Sequence, residues 1–445
     1  MLKRGIAFDT IPGGLSRDEG GTLRILVLSN LYPPDVLGGY ELACSQVVEA
    51  LRDRGHETRV VCARPRQLVP RVEGVNRRFH LVEYWSRQAM GRHQVAYQMH
   101  ESEARFFNAH NVHVLLAEIE DFEPDVVYLN NILGLGGLGL VAAIQYLKLP
   151  WVWHLGDSVP RELCSMEDGL IPELGARFAA DVRGTYVSVS GRLIEEIEHK
   201  GLKLNRPLEL IPYWIHGERP RTRTLFYQPG NHLRIMSAGR LSPQKGTDLL
   251  IEAAAQLIAW GIRDFSVDFY GHVPDPSFAQ QIRGLGLEDH VQIMGSRPQA
   301  ELLNLYENYD IFAFPTLPRE PFGLVPLEAA SRSCLPVISE SCGIAEWLVH
   351  GVHCIKAART PEAFAQVFRD VFEGKTPFQA IVRRAREAAW NDFHSSVIIP
   401  KIEALMLDAS TRDRSGAGLP ADAYRMARMA EQMSFLLIQE ALLTS

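Results

Sequence analysis

Two glutamates, Glu320 and Glu328, bracket seven uncharged residues in the stretch EPFGLVPLE. The apolar run YDIFAFPT before this stretch predicts a buried strand, and AASRSCLPVIS after it predicts a short helix followed by another strand. Because Gly323 ends the turn, we expect a helix to begin there and to carry Glu328 about one and a half turns in. Carboxylates accept hydrogen bonds from paired hydroxyls, and the N–H groups of Phe322, Gly323 and Leu324 can donate to a hydroxyl or phosphate oxygen. The stretch therefore predicts a site for a polyhydroxylated ligand, although acids near a helix start are also common as caps.

Two cations lie upstream, in the stretch SAGRLSPQKGTDLL. Arg240 directly follows a predicted strand, and Lys245 precedes Gly246 and the start of a predicted helix. Unpaired N–H groups and the helix dipole favour negative charge at such a place, so two cations there predict an anion site. A diphosphate would fit this site. The alternative is a solvated loop with unrelated charges.

The composition limits the class of protein. At 445 residues the chain is too long for one ordinary domain and fits two. Its 46% hydrophobic and 22% charged residues are typical of a globular protein, and its net charge of −7 argues against nucleic acid as a partner. Six scattered cysteines without a C-x-x-C pair, and histidines that do not cluster, predict reduced thiols and no metal site. No apolar stretch predicts a signal peptide or a membrane-spanning helix, so we expect a cytoplasmic protein.

The predicted strands and helices alternate along the chain, which indicates an α/β protein with doubly wound parallel sheets. The polar stretch HGERPRTRTLFYQPGNH interrupts this alternation and predicts a linker between two Rossmann-like domains. Since ligands bind such sheets at the carboxyl ends of the strands, we expect the site in the cleft between the domains. The expected divisions are an N-terminal extension (1–22), a first domain (23–216), a second domain (217–390), a helix that returns to the first domain (391–409) and a tail (410–445). The predicted strands are 24–29, 58–63, 125–130, 150–155, 185–190, 208–212, 233–239, 266–271, 291–295, 310–315 and 335–339.

Two further segments have compositions that suit a surface contact. The tail contains LPADAYRMARMAEQMSFLLIQEALLTS, whose helical spacing predicts an amphipathic helix. We favour a helix packed on its own domain over one that binds a partner or a membrane surface. The segment from Arg64 to Arg92 carries seven arginines and predicts a solvated loop. Its alternative is a surface that attracts an anionic acceptor or the acidic inner face of a membrane.

These stretches together resemble a known family. EPFGLVPLE preceded by SAGRLSPQKG is similar to the E-x7-E signature of family 4 (group 1) retaining glycosyltransferases, which have the two-domain GT-B fold. LYPPDVLGGYELACSQVVEALRDRGHETRVV resembles the amino-terminal G-G-x-E loop and helix of the same family. WVWHLGDS, YVSVSGRLIEEI and IMGSRPQAELLNLYENYDIFAFPT also match blocks of that family, in the family order, between Arg24 and Leu407.

The resemblance implies roles for the second half of the chain. Arg240 and Lys245 would hold the diphosphate of a nucleotide-sugar donor and stabilise its charge as the bond to the sugar breaks. Glu328 would bind the ribose hydroxyls. Glu320, with the N–H groups of Phe322, Gly323 and Leu324, would hold the transferred sugar. Such enzymes typically need no metal or other cofactor, and no D-x-D triplet occurs in the sequence.

The resemblance also implies roles for residues elsewhere in the cleft. Gly38 and Gly39 would bring backbone close to the phosphate and the sugar. His154 would lie near the reacting carbon, and the segment from Gly295 to Arg297 would flank the nucleobase. The implied activity is the transfer of a sugar from the donor to a hydroxyl acceptor, such as a glycan, a lipid-linked saccharide or a small molecule.

The chain departs from the family pattern at two places. The usual P-N-G-hydrophobic-D is replaced by PYWIH at 212–216, which lacks the asparagine and the aspartate. The usual G-G-x-P-E is replaced by SCGIAE at 341–346, which retains only Gly343 and Glu346. These segments are expected near the acceptor and hinge sides of the cleft, so they bear on the acceptor more than on catalysis.

Other interpretations compete with this one. The glycine-rich stretch GLGGLG (134–139) matches the dinucleotide fingerprint and would suit an NAD-dependent oxidoreductase. However, its first glycine comes several residues past the predicted strand, and an oxidoreductase explains neither the cations nor the glutamate pair. A catalytically inactive sugar-nucleotide-binding protein of the same fold is a second alternative, which the intact cations and glutamates disfavour. A nucleotide-sugar epimerase would not be expected to carry the E-x7-E block.

Overall fold

The computed structural model describes residues 21–65, 68–82, 94–166, 169–205, 207–221, 226–272 and 276–411. The predicted N-terminal extension and the amphipathic helix of the tail lie almost wholly outside these residues, as does part of the arginine-rich segment. Within the described residues, no helix combines the length and the apolar character that crossing a membrane requires.

The first domain holds nine strands and seven helices among its described residues. In chain order, the strands are β1 Arg24–Leu28, β2 Glu57–Ala63, β3 Val75–Phe79, β4 Val126–Leu129, β5 Trp151–Leu155, β6 Ser165–Met166, β7 Gly169–Leu170, β8 Thr185–Ser188 and β9 Leu208–Leu210. The helices are α1 Gly39–Asp53, α2 Gln94–Arg105, α3 Ala109–Phe122, α4 Gly137–Tyr146, α5 Val159–Leu163, α6 Pro172–Asp181 and α7 Gly191–His199.

The second domain is built in the same way. Its strands are β10 Leu233–Ala238, β11 Phe265–Tyr270, β12 Val291–Gly295, β13 Ile311–Phe314, β14 Leu335–Ser339 and β15 Ile355–Ala357. Its helices are α8 Thr247–Ala259, α9 Ser277–Gly284, α10 Gln299–Leu305, α11 Val325–Ser331, α12 Pro361–Phe372 and α13 Phe378–Asn391, and the chain continues into α14 Ser395–Thr411. Short 3-10 turns occupy Pro243–Lys245, Tyr306–Asn308 and Gly343–Glu346.

Each domain is built on one parallel sheet, which confirms the predicted fold class. The strand order is β3-β2-β1-β4-β5-β8-β9 in the first sheet and β12-β11-β10-β13-β14-β15 in the second. The central strands β13 and β14 are continuous buried runs, as expected when helices cover both faces of a parallel sheet. The strand order reverses between β1 and β4 and between β10 and β13. Ligand crevices open at such switch points, outside the carboxyl ends of the strands.

The two domains are joined by two chain segments that lie next to each other. After β9, Ile215 donates its N–H to the carbonyl of Phe393 at 2.9 Å, and its own carbonyl accepts from the N–H of Ser395 at 2.9 Å. Beyond this bridge, α14 packs on the first sheet, where Ile402 and Met406 join the buried core. The last described helix is therefore part of the first domain's core.

Candidate functional site

The predicted cations and glutamates lie along the carboxyl edge of the second sheet. Arg240 follows β10, and Lys245 ends the 3-10 turn that leads into α8. Glu320 follows β13, and Glu328 lies in α11, directly after that loop. Since β10 and β13 are neighbouring strands on either side of the switch point, their loops leave the sheet next to one another.

Lys245 and Glu320 are in direct contact. Lys245 Nζ donates to Glu320 Oε2, and the same oxygen accepts from Thr316 Oγ1 at 3.3 Å. The two loops also touch through their backbones, because a Cβ added at Gly246 would lie 2.4 Å from the Pro315 carbonyl. Gly246 has φ +75°, a conformation that favours glycine. Backbone packing therefore brings the predicted diphosphate cation and the predicted sugar carboxylate together.

Arg359 braces the same pair of loops, and the sequence analysis did not identify it. Its Nε donates to the Pro315 carbonyl at 2.9 Å, and its Nη2 donates to the Pro243 carbonyl. One guanidinium thus holds the loop that carries Lys245 and the loop that leads to Glu320. No pattern near Arg359 signals this role, since the contact depends on the position of the loop after β15.

Glu328 is buried and held by two polar side chains. Gln299 Nε2 donates to its Oε1 at 2.8 Å, and the Tyr306 hydroxyl donates to its Oε2 at 3.4 Å. Burial raises the pKa of the Glu328 carboxyl, and these hydrogen bonds offset part of that shift. The helix begins at Val325 rather than at Gly323, so Glu328 lies in its first turn and not one and a half turns in. Gln299 and Tyr306 were not identified from the sequence.

The residues between the two glutamates form a tight turn. Gly323 has φ +92°, outside the helical region, and a Cβ there would lie 2.6 Å from the Phe314 ring. Phe322 is buried, and its carbonyl accepts from the N–H of Ile344 at 2.7 Å. Leu324 is the N-cap of α11. The positive φ of Gly323 is the reason that the helix starts later than the sequence suggested.

Arg240, Gly295 and Arg297, the other predicted residues of the second domain, lie along the same edge. Arg240 is exposed at the end of β10. Gly295 ends β12 with φ +73°, and Arg297 is exposed two residues later, with its guanidinium on the carbonyl of Ser296 at 3.0 Å. Gln299 follows shortly after and links this segment to Glu328, so the predicted nucleobase segment and the predicted ribose carboxylate are adjacent.

On the first domain, the predicted glycines open α1. Gly38 is its N-cap and Gly39 its first residue; both are exposed, and a Cβ at either would meet no atom of the described residues within 4 Å. The buried Glu41 carboxylate accepts from the N–H of Leu37 at 3.2 Å and from the N–H of Gly38 at 2.9 Å. The Glu41 carboxylate thus caps the start of α1 and fixes the loop that precedes the helix, while the N-cap glycine has no side chain to contribute.

His154 lies deeper than the predicted role suggests. Only 1% of the residue is exposed, and its ring lies 5.5 Å from the ring of Tyr213 and 6.0 Å from that of Trp214. The Tyr128 hydroxyl contacts Nδ1 at 2.7 Å, while Nε2 is buried without a hydrogen-bond partner among the described residues. Burial lowers the pKa of His154 to about 3, so the ring is neutral near pH 7.

Tyr213 and Trp214 of the segment PYWIH pack against His154. Tyr213 also packs edge-on against Phe322 of the second domain, with ring centroids 5.7 Å apart. A Cβ at Gly156 would lie 2.0 Å from the Tyr213 hydroxyl oxygen, so the glycine makes room for this side chain. The departure from the family pattern therefore places an aromatic side chain between His154 and the loop that carries Glu320.

The glycines of the stretch 134–139 allow close packing against a neighbouring segment of the first domain. A Cβ at Gly136 would lie 2.3 Å from the backbone nitrogen of Asn108, and one at Gly139 would lie 2.7 Å from the Phe107 ring. The N–H of Gly139 donates to the carbonyl of Phe106 at 2.8 Å. These glycines are buried against the segment before α3, so they offer no open surface to a dinucleotide.

Comparison with known proteins agrees with this geometry. The model of the glycosyl transferases group 1 family matches residues 226–388, and that of the glycosyl transferase 4-like domain matches residues 38–214. The amylovoran biosynthesis glycosyltransferase AmsK of Erwinia amylovora is 27% identical over 221 residues, which are 47% of this chain and 53% of that protein. The chain thus matches about half the length of this curated relative.

Solved structures share the fold. HepE of Anabaena, in complex with UDP and glucose, matches with a TM-score of 0.58 and 19% identity over 86% of this chain and 98% of its own. A glycosyltransferase from Rickettsia africae matches with a TM-score of 0.64 and 16% identity over 88% of this chain and 100% of its own. These matches confirm the predicted GT-B arrangement of two Rossmann-like domains.

Proposed function

The chain belongs to the group 1 glycosyltransferases, and we propose that it transfers a sugar from a nucleoside diphosphate sugar to a hydroxyl group of an acceptor. The observation that carries this proposal is the contact between Lys245 and Glu320 at the switch point of the second sheet. A cation for a diphosphate and a carboxylate for sugar hydroxyls are then next to each other, as the two adjoining parts of such a donor require.

The chemistry follows from the charge of the leaving group. As the bond between the sugar and the diphosphate breaks, negative charge grows on the diphosphate, and Arg240 and Lys245 would stabilise it. Glu320 would orient the sugar, and the held carboxylate of Glu328 would receive the ribose hydroxyls. We further propose that transfer retains the anomeric configuration and needs no metal ion. UDP-glucose is the first donor to test, because the HepE structure contains UDP and glucose.

The acceptor is proposed on chemical grounds from the relatives. AmsK is named for the biosynthesis of a polysaccharide, so we propose a growing or lipid-linked saccharide as the acceptor. An acceptor anchored in the inner membrane would bring the enzyme to its cytoplasmic face, where the exposed Arg64 and Arg71 would favour acidic headgroups.

A donor screen tests the proposal. Thermal unfolding is measured with uridine, guanosine and adenosine diphosphate sugars, since binding to the folded state raises the unfolding temperature. Hydrolysis of the stabilising donor is then followed, and the anomeric configuration of the transferred sugar is read by NMR. Lys245→Ala should lose the donor-induced shift, whereas Arg283→Ala, which removes an exposed cation from α9, should keep it. Stabilisation by none of these donors would contradict the proposal, and binding without hydrolysis or transfer would favour an inactive binding protein.

A further inference from the structure

The loop Glu320–Gly323 is held by both domains. Ser190, which lies in the first domain, donates its hydroxyl to the carbonyl of Pro321 at 2.5 Å. The next residue of the loop, Phe322, packs against Tyr213 of the first domain. The predicted sugar-binding loop of the second domain therefore has a hydrogen bond and an aromatic contact from the opposite side of the cleft.

The Ser190 hydroxyl both donates a hydrogen bond and accepts one. Ser190 is fully buried and is the N-cap of α7, where its Oγ accepts from the N–H of Leu193 at 3.2 Å. The same hydroxyl donates its single proton to Pro321. Because a hydroxyl offers one donor, the cap and the cross-domain bond together fix its orientation.

The start of α7 is itself anchored by the second domain. Glu346 accepts from the N–H groups of Gly191 and Arg192, each at 2.7 Å, and so caps the helix from across the interface. Trp347 Nε1 donates to the carbonyl of Val189 at 2.9 Å. These bonds set the position of Ser190 relative to the loop it contacts, since they flank it on both sides.

We propose that Ser190 is a positioning residue that sets the direction of the Phe322 N–H toward the donor sugar. The peptide between Pro321 and Phe322 is planar and trans, so its C=O and N–H point in opposite directions. By holding the Pro321 carbonyl, Ser190 fixes the plane of this peptide and thereby the N–H on its other side. Proline has no N–H of its own, so the carbonyl is the backbone group through which this residue can be anchored.

This inference rests on the proposed function, because the sugar is the ligand that the Phe322 N–H would meet. The competing explanation is that Ser190 only caps α7. Three substitutions separate the two roles. Ser190→Thr keeps the hydroxyl, Ser190→Gly loses it but remains a good N-cap, and Ser190→Ala loses both.

Steady-state kinetics with the identified donor provides the first test. We expect kcat/KM to fall about 5- to 20-fold in both Ser190→Gly and Ser190→Ala, the scale of one lost hydrogen bond, and to stay within about twofold in Ser190→Thr. The unfolding temperature should fall in Ser190→Ala more than in Ser190→Gly. Asn108→Gly, which removes the N-cap side chain of α3 in the same domain, is the matched control and should keep wild-type kinetics. Wild-type kinetics in Ser190→Gly would overturn the positioning role.

Hydrogen exchange tests the same role without any activity. In Ser190→Gly, the amides across residues 318–326 should exchange faster than in the wild type, and so should the Leu193 amide, which loses its acceptor. The amides across 195–199, further along α7, should not change. Unchanged exchange in 318–326 would overturn the proposal. If the wild-type protein processes no donor, the proposed function fails, but this comparison still decides whether Ser190 orders the loop.

Discussion

Lys245 Nζ donates a hydrogen bond to the carboxylate of Glu320, which joins the loop after β10 to the loop after β13. The side chain of Lys245 is 39% exposed and that of Glu320 is 17% exposed, so the ammonium is the more accessible partner. A surface-accessible pair of this kind contributes little to stability. The contact instead positions a cation and a carboxylate beside each other before a charged ligand binds.

The first prediction concerns the cations. Lys245→Ala and Arg240→Ala should each lower kcat by about 10²-fold or more, the scale of losing one preorganised charge contact to the leaving group. The expectation follows from the placement of both residues at the switch point between β10 and β13. Turnover of the identified donor is the measurement, with Arg283→Ala as the control. Near-normal turnover in both variants would show that other groups stabilise the leaving diphosphate.

The second prediction concerns metal ions. Activity should survive EDTA, because the described residues contain no group of three or more histidine, cysteine or carboxylate side chains that could hold a metal. The charge of the leaving group would then be balanced by Arg240 and Lys245. The measurement is turnover after chelation and after addition of Mg²⁺ or Mn²⁺. Loss of activity on chelation that added metal restores would contradict the prediction.

The sequence predicted the central strands of both sheets, because parallel strands covered on both faces are continuous apolar runs. It missed the two-residue strands β6 and β7, which pair only with each other. It also missed β3, with the sequence VNRRF, and β15, with the sequence IKA. β3 and β15 are edge strands that pair on one side only, so polar side chains are tolerated there. The predicted start of α11 at Gly323 was also wrong, because the helix begins at Val325. The conformation of Gly323 depends on its packing against Phe314, which the sequence does not show.

The residues of the site likewise include some that the sequence predicts and some that it does not. Arg240, Lys245, Glu320 and Glu328 could be identified because they follow predicted strands within recognisable stretches. The cross-domain bond from Ser190 to Pro321 could not, because it depends on how two separately folded sheets pack. A local sequence pattern predicts which functional side chains follow a strand. The distant groups that hold those side chains in place depend on tertiary packing.

The third prediction concerns the buried His154. Its pKa is lowered to about 3 by burial, from an ordinary value near 6.5, so the unfolded chain binds a proton at this residue before the folded protein does. Folding stability should therefore fall as the pH drops below about 6.5, with a contribution from His154 on the order of 1–2 kcal/mol by pH 5. His154→Gln should remove this part of the pH dependence.

Urea unfolding at pH 8, 6.5 and 5 measures the effect. The drop in the free energy of unfolding between pH 8 and pH 5 should be smaller in His154→Gln than in the wild type. His110→Gln, which removes an exposed histidine, is the control for the general effect of losing one imidazole. If His154→Gln keeps the full wild-type drop, the ring is not held neutral in the folded protein.

The last prediction separates the two glutamates of the opening stretch. Glu328 is buried and held by Gln299 and Tyr306, and its proposed partner, the ribose, does not react. An interaction shared by the ground state and the transition state affects binding, so Glu328→Gln should raise KM for the donor more than it lowers kcat. Glu320 contacts Lys245, at the junction of the proposed sugar and diphosphate sites.

Positive charge develops on the sugar as its bond to the diphosphate breaks. The Glu320 carboxylate would therefore stabilise the transition state more than the ground state. Glu320→Gln keeps the size of the side chain but removes this charge and weakens the contact with Lys245. We therefore expect a lower kcat with a smaller change in KM, the reverse of the pattern for Glu328→Gln. Both constants are measured for each variant with the same donor, and Glu301→Gln, on the exposed surface of α10, is the control. If the two variants share one pattern, or exchange their patterns, the assignment of one glutamate to the sugar and the other to the ribose is wrong.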